Sequence, residues 1–302
     1  MGETKMNQYL TYLHLLTPLH TGGSTQEGNM MGIAREVHTE FPYLPASSLR
    51  GKIRSELESS HPEAGEIFFG QKIQNGKQPT EGEVWFADAT LIFFPIASLS
   101  HHLVWVTCPL WLERWNRWLP EAPLTDTIER CRTALATRSA LVSFDTSELY
   151  LQTALLQQND LEKLDTAEIT KALDSLTANG SLIGQLAKKL VVLTDEDCIA
   201  LVETGLQREV RVALEEKSKT VKGGSFRSEE AIPPEAVLFF PWGMKPSKDA
   251  EKTADIRQKI VEVLGDRLQF GGLESLGRGW TDLKSIKVDR PKTDRYKNEV
   301  KE

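Results

Sequence analysis

The sequence predicts an α+β protein with a ferredoxin-like (RRM-like) βαββαβ core that a long insertion interrupts. Dense apolar segments typical of strands lie at Tyr9–Thr17 and Val84–Phe94, and again at Val237–Trp242 and in a last strand ending at Val288. Apolar residues recur at helical spacing between the first two of these strands, and again between the last two. The resulting order of strand, helix, strand, insertion, strand, helix, strand is that of a βαββαβ unit.

The first strand is apolar on both faces, which is typical of a central strand that is covered on both sides. A glycine- and polar-rich loop follows it at 20–29. The predicted helices of the core are 47–58 and 250–264, the second ending at Gly265. We therefore predict that 1–99 and 229–288 together form one discontinuous palm.

The insertion, 100–228, is predicted to be mostly helical. Pro109 opens a helix in which Trp111, Trp115 and Trp118 recur at core spacing. Further helices are predicted at 125–137 and 160–178, the latter capped by Asn179-Gly180. The stretch at about 199–228 alternates apolar and charged residues, which predicts a projecting β-hairpin, the thumb hairpin. Residues 289–302 form a charged tail.

Composition is that of a globular protein, with 302 residues, 40% hydrophobic and 26% charged. The net charge of −7 argues against a free-standing nucleic-acid binder, so any such role must rest on local patches. One patch is 206–228, with six lysines and arginines against three glutamates. The absence of an apolar signal segment and of any long apolar run leads us to expect a cytoplasmic protein without a membrane partner. Cys108, Cys131 and Cys198 lack metal-ligand spacing, so neither a metal site nor an intrinsic cofactor is expected.

The segment 41–54 predicts an anion site at a helix start. Pro42 and Pro45 impose an extended entry, Ser47 and Ser48 are good N-cap residues, and Leu49 begins a buried stripe. The other face carries the residues that we expect to contact phosphate, which are Arg50, Gly51, Lys52 and Arg54. The alternative is an ordinary capped helix with a solvated basic face.

Several segments together resemble a known family. The N-terminal segments resemble the signature of the RAMP superfamily, and the later ones are similar to the repeated backbone subunit of the type III-B CRISPR (Cmr) effector. The segments are 20–24 (HTGGS), 33–36 (IARE), 38–51 (HTEFPYLPASSLRG), 68–70 (FFG), 86–89 (FADA), 93–99 (FFPIASL), 105–110 (WVTCPL), 219–224 (KTVKGG), 230–234 (EAIPP) and 271–279 (GGLESLGRG).

This resemblance implies a subunit of a ribonucleoprotein that polymerises along a CRISPR guide RNA in antiviral defence. Its implied partners are the guide RNA, complementary target RNA, further copies of itself and other subunits of the effector. The thumb hairpin would displace a base from the guide–target duplex, and the rest of the RNA would be held by shape and phosphate. The implied RNA contacts are His20, Arg35, Ser47, Ser48, Arg50, Gly51, Lys52, Arg54, Lys217, Lys219, Lys222, Arg227, Gly277, Arg278 and Gly279.

One position departs from the family. Members that cut target RNA carry an aspartate five residues before the arginine of 33–36, and here that residue is Met30. A thioether is a poor ligand for Mg²⁺, which prefers oxygen. The resemblance therefore implies a binding scaffold with impaired slicing, and Mg²⁺ is expected only if slicing is retained through Glu27.

Two other function classes are open at this point. His20 as a general base would make the protein a metal-independent ribonuclease that processes guide RNA. A small-molecule enzyme on a ferredoxin-like fold lacks support, because Gly271–Gly279 has no strand–helix context for a dinucleotide site.

Overall fold

The computed structural model describes residues 7–23, 26–27, 30–71, 80–152, 154–174, 180–215, 221–247 and 250–288. The strands are β1 (Asn7–Leu15), β2 (Gln26–Glu27), β3 (Met30–Met31), β4 (Tyr43–Leu44), β5 (Val84–Phe86), β6 (Ala89–Ser98), β7 (His102–Thr107), β8 (Ala140–Val142), β9 (Glu148–Leu151), β10 (Ala154–Gln157), β11 (Leu161–Lys163), β12 (Leu190–Leu193), β13 (Gln207–Leu214), β14 (Val221–Ala231), β15 (Val237–Met244), β16 (Arg267–Gln269) and β17 (Trp280–Lys287).

The α-helices are α1 (Ala46–Ser60), α2 (Ala64–Phe69), α3 (Pro109–Asn116), α4 (Thr125–Leu135), α5 (Ala167–Asp174), α6 (Gly180–Lys189), α7 (Asp195–Gly205) and α8 (Ala250–Val263). Short 3-10 turns lie at Gln158–Asp160 and Glu274–Leu276. No helix in the described ranges has the length and hydrophobicity that crossing a bilayer requires.

The predicted α+β class is confirmed, and the centre of the sheet has βαββαβ connectivity. Strands β6, β15, β1 and β17 are neighbours in that order, and each neighbouring pair is antiparallel. In the chain, α1 lies between β1 and β6, and α8 lies between β15 and β17. The two helices pack against each other. The outer strands β11, β8, β12 and β7 continue the sheet beyond β6.

Both faces of the sheet are covered, which explains the two apolar faces of β1. Leu13 and Leu15 belong to one buried cluster, which also contains the inner faces of α1 and α8. Leu10 and Tyr12 belong to a second, which includes side chains of α4, α5 and α6. Trp111 and Trp115 are fully buried in these clusters, one in each, as their spacing predicts.

Three boundary predictions are wrong. The second core strand, predicted at Val84–Phe94 with Pro95 as its stop, is split into β5 and β6, and β6 continues past Pro95 to Ser98. Proline is tolerated there because pairing with β15 ends at Phe93, so that its missing N–H is not needed on that side. The helix predicted at 160–178 begins later, at Ala167, since 161–163 pairs with β8; its predicted end lies outside the described residues. Gly180, predicted as part of its cap, lies in α6.

The insertion is less helical than expected, because β7 to β12 lie among its helices. The thumb hairpin also begins later than about 199, since residues 195–205 form α7. Thr194 caps that helix by accepting a hydrogen bond from the Asp197 backbone N–H at 3.1 Å. The sequence carries this signal as a threonine followed three positions later by an acid. The division into palm and insertion stays a prediction, and the tail at 289–302 lies outside the described residues.

Candidate functional site

The first loop and the thumb hairpin form one small sheet. Its strand order is β13-β14-β3-β2, so the hairpin lies beside the loop that carries Met30. Ser228 is the register partner of Met30 on one side, and Glu27 is its partner on the other. Met30, the position that departs from the family, therefore lies beside the base of the hairpin.

An arginine–glutamate ring joins the base of the hairpin to α7 and to the segment that follows β3. Arg35 donates to Glu203 at 2.5 Å and to Glu230 at 2.9 Å. Arg208 bonds the same two carboxylates, reaching Glu230 at 3.0 Å. Glu230 is 3% exposed, so its charge is stabilised by both guanidinium groups rather than by water. Arg35, predicted to contact phosphate, is thus engaged by two carboxylates.

A second ring lies on the opposite face of the same hairpin. Arg211 reaches Glu229 at 2.9 Å and Glu209 at 3.2 Å. Arg278 reaches Glu209 at 3.0 Å and Glu229 at 3.4 Å. Because Arg278 is 3% exposed, its guanidinium anchors the glycine-rich loop to the hairpin instead of pointing into solvent.

His20 lies in the same region and is buried. Its Nδ1 donates to the backbone carbonyl of Glu230 at 2.8 Å, and its own carbonyl accepts from the Gly272 N–H at 2.8 Å. The residue therefore joins the first loop, the end of β14 and the glycine-rich loop. Within the described part of the chain, no group of three or more His, Cys, Asp or Glu side chains is arranged to hold a metal ion.

The two glycines predicted to approach phosphate differ in their surroundings. A Cβ on Gly279 (φ +82°) would lie 1.8 Å from the Phe270 carbonyl oxygen, so glycine is needed there for backbone packing. Gly277 (φ +75°) is exposed and would meet no described atom within 4 Å. Only Gly277 offers an accessible backbone.

The start of α1 differs from the prediction. Pro45 is the N-cap and neither serine side chain caps the helix: Ser47 and Ser48 lie in its first turn, and Ser47 is exposed. The Ala46 N–H instead donates to the Asp88 carboxylate at 2.7 Å. An acidic group therefore already occupies the end of the helix where a phosphate was expected.

The basic face of α1 is divided between structure and solvent. Arg50 donates to the backbone carbonyls of Val84, at 3.1 Å, and Phe69, and its guanidinium lies over the Phe69 ring. Burial, with a smaller contribution from Arg54, lowers the pKa of Arg50. Lys52 and Arg54 form ion pairs one turn along the helix, with Glu56 at 2.9 Å and with Glu58 at 2.7 Å. Gly51, between Arg50 and Lys52, is exposed with open space around it.

The thumb hairpin has two different faces. Arg211 and Arg227 are register partners on one face, and Arg227 is exposed. Val210, Val212 and Phe226 lie on the other, and their residues are 70%, 39% and 51% exposed. Lys217 and Lys219 fall outside the described residues, as does the side chain of Lys222.

Beside the hairpin base is a groove of about 640 Å³, which we call the Met30 groove. Its lining consists of Met30, Gly32, Ile33, Arg35, Glu40, Ile199, Ala200, Glu203, Arg208 and Glu230. Glu203, Arg208, Glu229 and Glu230 were not predicted from the sequence. For Arg208, Glu229 and Glu230 the available signal was the presence of both arginine and glutamate in 207–211 and in 227–230, since opposite charges on two paired strands indicate cross-strand pairs at the hairpin base.

Comparison with known proteins agrees with this architecture. The model of the RAMP superfamily matches residues 12–282. The chain is 29% identical over 286 residues to the CRISPR system Cmr endoribonuclease Cmr4 of Pyrococcus furiosus, covering 92% of this chain and 95% of that one.

Solved structures show the same fold. Oligomeric Cmr4 from Pyrococcus furiosus superposes with a TM-score of 0.66 at 23% identity, covering 94% of this chain and 100% of that one. A subunit of the type III-B Cmr-beta complex bound to cognate target RNA gives 0.69 at 22% identity, with 92% and 96% covered. The resemblance read from the sequence is therefore confirmed at the level of the family: the chain belongs to the RAMP superfamily.

Proposed function

We propose that this protein is the repeated backbone subunit of a type III-B CRISPR effector, and that it binds guide RNA and the guide–target duplex without cutting the target itself. The observation that carries the proposal is the sheet β13-β14-β3-β2, which joins the thumb hairpin to the loop of Met30. The role in a Cmr complex is also supported by the relatives, one named an endoribonuclease of a Cmr system and one solved in complex with target RNA, whereas the proposed loss of cutting departs from the first of them.

RNA binding in this proposal rests on α1, the glycine-rich loop and the hairpin. The proposed contacts are Lys52, Arg54 and Gly51 on α1, Ser47 and Ser48 in its first turn, Gly277 in the glycine-rich loop and the basic residues of the hairpin, Lys217, Lys219, Lys222 and Arg227. Lys52 and Arg54 would exchange their surface ion pairs with Glu56 and Glu58 for contacts with phosphate. Arg35, Arg50, Arg278, His20 and Gly279 support them by holding the loops in position, as the contacts above indicate.

The proposed loss of slicing follows from the chemistry of the donor set. The Met30 thioether does not suit Mg²⁺. The carboxylates of Glu203 and Glu230, which also line the Met30 groove, are each bound by two arginines. Metal binding there would have to displace those ion pairs, so these residues do not fit a magnesium site.

Two catalytic alternatives remain distinguishable. Glu27 is the register partner of Met30, so an Mg²⁺-dependent activity through Glu27 is the first. The second is guide processing by His20, which is disfavoured because that residue is buried and its Nδ1 already donates to a backbone carbonyl.

The test is to identify what purifies with the chain from cells that carry its genomic neighbours. The proposal predicts a set of small guide RNAs together with several copies of this chain and other subunits. Recovery of the chain without RNA would contradict it. Recovery with unprocessed precursor RNA that the chain cleaves without Mg²⁺ would instead support the His20 alternative.

A further inference from the structure

Two of the three cysteines meet in the core, where helices α3 and α7 begin. Cys108 is the N-cap residue of α3, Cys198 lies near the start of α7, and both are fully buried in the same cluster. Their thiol groups are hydrogen-bonded to each other. The two helix starts are also joined by a hydrogen bond of 3.0 Å from the Leu110 N–H to the Asp195 carboxylate. Thiols in contact on two such neighbouring elements are suited to forming a disulfide without a large movement of the backbone.

Helices α3 and α7 also hold one segment jointly, the segment that follows β3. Arg35 donates to Glu203 of α7 at 2.5 Å. The next residue, Glu36, accepts two hydrogen bonds from Arg114 of α3, at 2.7 and 3.0 Å. Because the two anchors lie on different helices, a covalent bond between α3 and α7 would restrict this segment as well as the helices.

The environment of Cys108 determines when its thiol can react. Burial raises the pKa of Cys108 well above its usual value and the contact with Cys198 raises it further, whereas the Trp111 N–H in the first turn of α3 acts in the opposite direction. The closed structure therefore protects the thiol. When the structure opens and admits solvent, the effect of burial is lost, and a helix start favours the thiolate. Cys108 is thus the thiol expected to react first.

We propose that Cys108 and Cys198 are a modification site, at which a peroxide converts the two thiols into a disulfide that ties α3 to α7. The Cys108 thiolate attacks one oxygen of hydrogen peroxide, so that an S–O bond forms, the O–O bond breaks and the leaving hydroxide takes up the thiol proton as water. The Cys198 thiol then attacks the sulfenic acid; the S–S bond forms, the S–O bond breaks and a second water leaves. Two electrons pass from the sulfurs to the peroxide. The inference goes beyond the proposed function, because no step of it involves RNA.

Cys131 provides a control within the same chain. It is 2% exposed, and burial raises the pKa of its thiol to about 11. Cys131 is therefore protected from solvent much as the pair is, but it lies in the other buried cluster, away from Cys108 and Cys198. Burial alone would make all three cysteines oxidise alike, whereas a modification site separates the pair from Cys131.

The experiment treats the full chain with increasing hydrogen peroxide below its melting temperature. The chain is then denatured, its remaining thiols are alkylated, and its peptides are identified by mass spectrometry. Cys131→Ala keeps the pair and Cys198→Ala removes one partner. Cys198→Ser serves the same purpose if the alanine variant does not fold. Melting temperature and amide hydrogen exchange are measured before and after oxidation.

The unmodified chain and Cys131→Ala are expected to give a linked Cys108–Cys198 peptide while Cys131 of the unmodified chain stays reduced. Oxidation should raise the melting temperature by roughly 5 °C or more, because the bond closes a long loop. Amides of 35–41 should exchange at least roughly threefold more slowly in the oxidised chain. In Cys198→Ala, peroxide should instead carry Cys108 on to the sulfinic acid.

Three results would overturn the proposal. The first is oxidation of Cys131 as fast as that of the pair, and the second is a disulfide between two chains in place of the internal one. The third is a pair that stays reduced at a peroxide concentration that fully oxidises the unfolded chain. A linked product with unchanged exchange at 35–41 would overturn the inferred restriction of that segment.

Discussion

Arg35 and Glu230 form an ion pair of 2.9 Å although 195 positions separate them in the chain. The pair joins the segment between β3 and β4 to the end of β14, the second strand of the thumb hairpin. Because Glu230 is buried and is also bound by Arg208, this contact holds the base of the hairpin against that segment. In the proposed function, the contact positions the hairpin for its meeting with RNA.

Glu230→Gln should lower the free energy of unfolding by about 3 kcal/mol, because two arginines would lose the buried carboxylate that stabilises them. Glu203→Gln is the matched control in the same ring. Its side chain is 43% exposed, so the expected loss is at most about 1 kcal/mol. Chemical denaturation of the two variants measures both values, and equal losses would show that the ring does not depend on the buried carboxylate.

Gly279→Ala should destabilise the protein by about 3 kcal/mol, since the new Cβ would clash with the Phe270 carbonyl and adopt a positive φ. Gly277→Ala, in open space at a similar φ, should cost only about 1 kcal/mol. Thermal or chemical unfolding separates the two. If Gly277→Ala nevertheless weakens RNA binding, the accessible backbone at 277 is a contact with RNA.

Lys52→Glu should weaken RNA binding equally for all guide sequences, because the contact expected there is with phosphate, and should reduce the salt slope of binding by about 1. Stability should change little, since the Lys52–Glu56 pair lies on the surface. Arg50→Met should change RNA binding little but lower the free energy of unfolding by about 2 kcal/mol, because it removes the hydrogen bonds to the Val84 and Phe69 carbonyls. If the loss of RNA affinity in Lys52→Glu depended on the guide sequence, recognition of phosphate at this position would be contradicted.

Much of the fold could be read from the sequence because its signals are local. The apolar runs of β1 and β15, the stripe of α1 and the tryptophan spacing of α3 each specify an element from neighbouring residues. The errors fall where a distant partner decides the structure. Residues 161–163 form a strand because they pair with β8, and Pro95 stays within a strand because β7 continues alongside it.

The site was predictable as a region but not as a set of contacts. Arg35, Arg50 and Arg278 were predicted as contacts of RNA phosphates, whereas in the structure their guanidinium groups are bound by carboxylates or backbone carbonyls. Their partners, however, lie on elements remote in sequence, such as Glu229 and Glu230 on β14. A single sequence shows which side chains carry charge. The pairing between residues distant in the chain, which neutralises those charges, is seen only in the fold.

The direct test of the central claim is cleavage of complementary RNA by the complex assembled with guide RNA, in the presence of Mg²⁺. The unmodified chain is expected to bind the target without periodic cuts, and Met30→Asp is expected to introduce them by adding an oxygen ligand beside the hairpin. Glu27→Ala and His20→Ala, made in the unmodified chain, are the controls for the two catalytic alternatives. Periodic, Mg²⁺-dependent cleavage by the unmodified chain that persists in Glu27→Ala would contradict the claim that position 30 determines activity.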